Sequence, residues 1–449
     1  MAKRSPHTQA RIPITLPASV SSLLGAEAEI LLRSLEEECP TSIRLNPLKP
    51  IAFAGTPVPW CANGRYLAER PIFTLDPLLH AGCYYVQEAS SMLVEQAFQV
   101  TGLADRDILA LDLCAAPGGK STHLASLLSP RSMLVCNEPV PSRRQVLSEN
   151  IWKHGRANTM ITGNQPKEFS ALGEFFDLVL VDAPCSGEGM FRKDPFARQQ
   201  WNERLVSSCT RTQTDILEHA WSALRPGGWL IYSTCTWEQA ENEEQIERLI
   251  EKGAEFVPLN CDEAWGVLEN AHGHRCYQHR VKGEGLFIAL IRKPGMAKDR
   301  DVTAVLPNSG NEVLGWIDPN SRSNTVEKNG ELYASSLQWE PVITEMNALL
   351  NVTAPGVPIA EFKGANWRPH PALALNELLN KDAFATMELD REQALRFLRG
   401  ETSFPEGSNR SHTPRVQLVR YEGHALGWLF AAGERWNNGW PKEWRIRMR

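Results

Sequence analysis

The sequence has no Cys-x-x-Cys pair, no G-x-G-x-x-G turn, and no apolar run approaching the ~18 residues that a membrane span requires. Each absence excludes a class. Without paired spacing, the ten cysteines do not compose a disulfide framework; they sit in apolar runs such as LDLC, MLVC and YSTC, as buried thiols do in a reducing compartment. Without an apolar segment of signal-peptide length in MAKRSPHTQARIPITLP, the chain is expected to be cytoplasmic, with no membrane partner. Without the glycine fingerprint, a dinucleotide-binding reading is poor. A strong charge of one sign is missing too: 47 Lys and Arg against 53 Asp and Glu leave −6, which argues neither for nor against an anionic partner. The distribution is less even. Residues 391–449 hold eleven Lys or Arg against six Asp or Glu, a locally basic tail on an acidic protein.

What is present reads as several domains, because 449 residues exceed one ordinary core. Residues 1–98 mix a helical pattern, VSSLLGAEAEILLRSLEEE, with short extended segments and suggest a small α+β domain. From 99 to 296 the pattern changes to apolar runs of five to seven residues (DILALDLC, SMLVCNE, ANTMIT, FDLVLVDAPC, GWLIYSTC, GLFIALIRK) separated by helical stretches. Such runs predict a parallel, doubly wound α/β sheet buried on both faces. Residues 297–325 read as a polar linker, 326–380 as a small mixed module, and 381–449 as a final module with the helix DREQALRFLRG and two strands.

Chemistry concentrates at three places in the α/β segment. LDLCAAPGGKS is an apolar strand, a turn of small residues and a helix start, so a ligand can approach backbone N–H groups there. Glu138, ending the next strand, is placed to take ribose hydroxyls. GKS at 119–121 falls short of a P-loop: the position that should be glycine is Cys114, and Pro117 lacks an N–H. Cys185 in VDAPCSGEG and Cys235 in YSTCTWEQAEN each end a predicted strand. Singly, each reads as a buried strand-end thiol; paired beside the glycine turn, they read as nucleophiles able to attack an electron-poor ring carbon.

CAAPGGK (114–120), DAPCSGEG (182–189) and STCT (233–236) resemble the three signature segments of the Nop/Sun family of RNA cytosine-5 methyltransferases. The likeness extends to SIRLNP (42–47), YYVQEASSM (84–92) and GEGLFIALIRK (283–293). LGW…GERWNNGWPKEWRIR is similar to the PUA-like RNA-binding domain of bacterial RsmF-type 16S rRNA methyltransferases. The resemblance implies a Rossmann-like methyltransferase sheet between an N-terminal α+β RNA-positioning domain and a C-terminal PUA-like module, with S-adenosyl-L-methionine as methyl donor. It implies Cys235 as the nucleophile at C6 of a flipped cytosine, Cys185 as the thiol that aids product release, and Asp182 at the base edge. Lys120 is expected to act electrostatically, lowering a nearby thiol pKa. Cofactor contacts are expected from Cys114, Ala115, Ala116, Pro117, Gly118, Gly119, Lys120, Glu138, Asp182 and Asn164. At the last, relatives carry Asp.

The expected partner is RNA, 16S rRNA above others, naked or within the small subunit, with the protein a monomer. Other readings are a transfer-RNA methyltransferase, a DNA cytosine methyltransferase relying on Cys185, and a non-catalytic RNA-binding assembly factor. Cys261, His272, His274, Cys276 and His279 fit no common zinc spacing, and no metal is expected. Arg192 and Lys193 read equally as a solvated cluster or as phosphate contacts. Of Trp428, Trp436, Trp440 and Trp444, at least two are expected to fill a β core and the remainder to flank RNA.

Overall fold

The computed structural model describes residues 15–296, 312–364, 366–402, 415–432 and 435–448. Its centre is a ten-stranded mixed sheet. The apolar runs form β1 (Leu109–Asp112), β2 (Met133–Asn137), β3 (Thr159–Thr162), β4 (Phe176–Asp182) and β5 (Leu224–Thr234), followed by β6 (Glu255–Val257), β7 (Leu268–Asn270), β8 (Gly273–Cys276), β9 (Leu286–Arg292) and β10 (Val352–Ala354). Spatial order is β7-β8-β9-β5-β4-β1-β2-β3-β10, with β6 on β9. The middle strands β3, β2, β1, β4 and β5 are parallel; β9 joins β5 antiparallel.

Helices α1 (Gly119–Leu127), α2 (Pro141–His154), α3 (Glu203–Ala223) and α4 (Glu243–Glu251) belong to this unit. The 21-residue α3 begins where the Asn202 side chain accepts the Leu205 N–H at 3.0 Å, satisfying one of the open donors of a helix start. Leu178, Val179, Leu180 and Val181 of β4 are fully buried, which is why the strand reads as an unbroken apolar run. This is a doubly wound, Rossmann-like sheet with the carboxyl ends of its parallel strands on one edge.

The N-terminal unit is a four-stranded antiparallel sheet in the order Thr56–Val58, Cys61–Leu67, Thr41–Leu45, Tyr84–Tyr85. Two buried side chains dock it on the central unit. Arg44 donates from Nε to Gln87 Oε1 and from Nη2 to Thr122 Oγ1 of α1, both at 2.7 Å; Asn46 Nδ2 donates to Gly82 O and His154 O, both at 2.8 Å. Burial pulls Arg44 down to about 10, still charged at neutral pH.

Beyond the central unit stand two more four-stranded sheets, Ser323–Lys328 to Asn366–Pro369 and Ala385–Leu389 to Arg435–Asn438. Residues 297–311, part of the span read as a linker, lie outside the described residues. β10, from the span read as a small separate module, pairs with β3 instead and extends the central sheet. Trp428, Trp436, Trp440 and Trp444 are all buried, at 0, 9, 2 and 8 % exposure, so none of the four is left to flank RNA. Their rings close the C-terminal sheet onto α2: Lys153 lies 5.3 Å over Trp444, and Trp152 packs 6.4 Å from it.

Candidate active site

The carboxyl ends of β1 and β4, the loop after β1, the first turn of α1 and the segment 85–91 surround a cleft of about 200 Å³, lined among others by Tyr85, Ser91, Asp112, Ala115, Gly119, Lys120 and Asp182. The loop from Leu113 to Gly118 is pinned by backbone bonds, Leu113 N–H to Leu180 O and Ala115 N–H to Asn137 O, both 2.9 Å. Gly118 takes φ 112° at the start of α1, a left-handed conformation that a side chain would oppose. Asn137, which the sequence reading passed over, ties the turn after β1 to the turn after β3: its Nδ2 donates to Leu113 O and Asn164 O, and its Oδ1 accepts the Asn164 N–H at 3.0 Å. Its place beside Glu138 in MLVCNEP was the only available signal.

The residues fit an adenosyl sulfonium donor on three observations. Glu138 is 2 % exposed at the end of β2, with Oε1 accepting the Val140 N–H at 2.8 Å and Oε2 lying 3.4 Å from Arg143. Asn164 is buried, and neither atom of its carboxamide has a partner, a cost that a ligand with polar edges would remove. Asp112 lines the cleft with Oδ1 also unpartnered, while Oδ2 accepts the Ser121 hydroxyl at 2.7 Å. Burial pushes Asp112 up to about 7, and the nearby Asp182 charge adds to this.

β4 and β5 lie side by side with Asp182 opposite Ser233, so the turns after them meet. Cys185 Sγ and Cys235 Sγ are 3.1 Å apart, and the Cys235 N–H points at Cys185 Sγ from 3.3 Å. The hydrogen bond with Cys235, and burial after it, push the Cys185 thiol well up. Asp182 Oδ1 accepts from Ser233 Oγ and from Lys120 Nζ, each at 2.8 Å. Burial alone would depress Lys120, but Asp182 outweighs it and holds the ammonium above its ordinary value. The nearest partner of Lys120 is therefore a carboxylate. Cys235 also lies within electrostatic reach of this ammonium.

All four expected catalytic residues thus share one region with the loop 114–120, Glu138 one strand away and Asn164 one further. Arg192 is corrected in both its readings: its side chain is 3 % exposed and paired with the equally buried Glu284 at 3.1 Å, with Nη2 donating to Gly283 O. Lys193 is exposed. His274 and Cys276 lie on β8, whereas His279 pairs with Glu27 at 2.9 Å. The trio with ligand atoms close together among the described residues is a different one, buried Cys61, Glu95 and His123. There His123 Nε2 lies 2.9 Å from Glu95 and 3.7 Å from Cys61, a hydrogen-bonded core network tying the N-terminal sheet to α1.

Comparison with known proteins bears on the whole chain. Residues 101–292 match the family model described as 16S rRNA methyltransferase RsmB/F. Residues 12–89 match the N-terminal domain of 16S rRNA methyltransferase RsmF, and 384–446 the methyltransferase RsmF PUA domain. Ribosomal RNA small subunit methyltransferase F of Aeromonas salmonicida is 33% identical over 437 residues, covering 90% of each chain. The enzyme of the same name from Erwinia tasmaniensis is 31% identical, again over 90% of each. A crystal structure of a methyltransferase homologue from Pyrococcus horikoshii superposes with TM-score 0.53 at 27% identity, covering 61% of this chain and 93% of that one.

Proposed function

The chain belongs to the RsmF branch of the RsmB/F family of 16S rRNA methyltransferases, and on that footing we propose that it methylates C5 of a cytosine in 16S rRNA through a covalent adduct on Cys235. S-adenosylmethionine is the methyl donor, supplying an electrophilic methyl carbon on sulfur. The loop 114–120, Glu138, Asn164 and Asp182 would hold it. The observation that carries the reading is the pair of thiols 3.1 Å apart next to the Lys120–Asp182 pair. One thiol explains attack; two explain attack and release.

In this mechanism the Cys235 thiolate adds to C6, forming an S–C6 bond and making C5 nucleophilic. Asp182, held by Ser233 and Lys120, steadies a proton at N3 or the exocyclic amine, so that electron density drawn from C6 is accommodated. C5 then takes the methyl group. Transfer of the C5 proton to solvent lets the C6–S bond break, returning the electron pair to Cys235. Cys185, whose thiol stays protonated because its pKa is pushed well up, protonates or hydrogen-bonds the departing sulfur. The target base must leave its stack to reach the cleft, at a cost of a few kcal/mol that is lowest in a loop or single strand.

Two measurements test this. Bisulfite sequencing of total RNA with and without the gene should show one 16S cytosine losing protection; loss in a transfer RNA instead would reassign the substrate. With purified protein, Cys235→Ser should abolish methyl transfer. Cys185→Ser should trap a protein–RNA adduct stable on a denaturing gel. Normal methylation by Cys235→Ser would reverse the two roles, as expected of an enzyme that uses the DAPC cysteine as nucleophile.

A further inference from the structure

Behind the two cysteine turns lies a polar cluster that this chemistry does not use. Ser186 follows Cys185 and Thr236 follows Cys235; together with Glu188, Gln213 and Glu241 they are buried, all at 0 % exposure except Ser186 at 5 %. Two carboxyl groups in such a place are costly if both are ionised. The hydrogen bonds show how that is avoided.

The Ser186 hydroxyl contacts Glu188 at 3.0 and 3.1 Å, Thr236 Oγ1 at 3.0 Å, and Glu241 Oε1. It owns one hydrogen. Thr236 Oγ1 accepts the Glu238 N–H at 3.2 Å and donates to Glu188 Oε2; the Trp201 indole donates to Glu188 Oε1. Ser186 can therefore donate to one carboxyl only, and the other must bring a hydrogen of its own. Glu188 already collects two donors. Glu241 takes Ser186 N–H (3.1 Å) and Gln213 Nε2 (2.7 Å) on Oε2, which leaves Oε1 to carry the proton toward the Ser186 hydroxyl. The chain runs Glu241 Oε1–H to Ser186 Oγ–H to Glu188.

We propose that Glu241 and Glu188, sharing one proton through Ser186, are positioning residues that clamp the Cys185 turn to the Cys235 turn. The inference rests on the two-thiol reading above and deepens it. With the proton in place, the residues following both cysteines are tied to the same pair of carboxyls. Without it, two negative charges face a single hydroxyl and the turns separate, so the step that needs both thiols, release, fails first.

Burial pushes Glu241 up to about 7, with the Glu188 charge contributing, which puts this loss near neutrality. The other titratable groups facing the cluster are Cys185 and Cys235, Cys209 of α3, whose thiol burial and both glutamates push up to about 11, Glu238, and Tyr232, whose hydroxyl donates to Glu241 O at 2.6 Å.

The test uses the full chain and two readouts. Without substrate, alkylation rates of Cys185 and Cys235 by iodoacetamide are followed peptide by peptide from about pH 6 to about pH 9, below and across ordinary thiol titration. Wild type should show a step near neutrality that precedes thiol ionisation. Glu241→Gln, whose amide supplies a hydrogen to Ser186 and does not titrate, should lack it. With RNA, Glu188→Gln should accumulate the covalent adduct and, under multiple turnover, lose kcat by on the order of tenfold to a hundredfold with KM falling in parallel, because a slowed step after methyl transfer leaves kcat/KM unchanged. Identical alkylation profiles for wild type and Glu241→Gln would overturn the clamp, whatever the RNA result. Absence of methyl transfer by wild type would instead overturn the proposed function and leave the thiol profile to decide the clamp.

Discussion

Asn164 shows what one side chain can disclose. Its carboxamide is buried with both polar atoms unpartnered, although its backbone is well held by Asn137. Replacing it with alanine removes no hydrogen bond made by that side chain in the free protein. Asn164→Ala should therefore leave the melting temperature nearly unchanged and weaken S-adenosylmethionine binding by roughly 1 kcal/mol, about a fivefold rise in Kd by calorimetry. A fall in stability with unaltered affinity would make Asn164 a packing residue. Lys120 offers the complementary case. Lys120→Met leaves Asp182, 36% exposed at its side chain, with Ser233 as its remaining partner. The expected outcome is loss of methyl transfer with cofactor affinity changed less, read by single-turnover kinetics beside calorimetry.

At the scale of elements, legibility tracked how far a strand's reason for existing was local. β1, β2, β4, β5 and β9 announce themselves as apolar runs because both faces are covered, and so the motifs at their ends are legible in the sequence. β7 and β8 were missed: LEN and GHRC carry too little apolar character, and they are strands because β9 offers them a ladder. Arg192 was misread for the same reason, since Glu284, its partner, is 92 residues away. The proton-sharing glutamates escaped notice because Glu188 and Glu241 converge only when β4 and β5 pair. Arg44 is another long-range element, a buried guanidinium docking the N-terminal sheet on α1. Arg44→Met should strand Gln87 Oε1 and cost about 2–4 kcal/mol in denaturant unfolding, with methylation lost in proportion as the wall of the cleft formed by Tyr85 and Ser91 shifts.

For the whole molecule, the buried histidines set an acid limit. Burial first, and nearby cations after it, pull His80 and His123 down to about 4, and His370 down to about 3. The unfolded imidazoles take up protons near pH 6.5, whereas the folded ones stay neutral to about 4, so unfolding is increasingly favoured as pH falls between those values. Each of His80 and His123 contributes roughly 3 kcal/mol of that loss by pH 4. A urea midpoint that declines steeply below about pH 6.5, and less steeply in His370→Gln, is the expected result. A flat midpoint across that range would mean the histidines are solvated.

The three residues of β10 carry a consequence out of proportion to their number. They come from beyond the catalytic span, yet they cover the outer edge of β3, the strand that leads into Asn164. An enzyme trimmed after residue 296 would present that edge bare, a template for pairing with a second chain. The strand edge leading to Asn164 is thus covered by the same half of the polypeptide that carries the PUA module, and during synthesis at the ribosome it would be covered only after some 190 further residues following β3 have emerged.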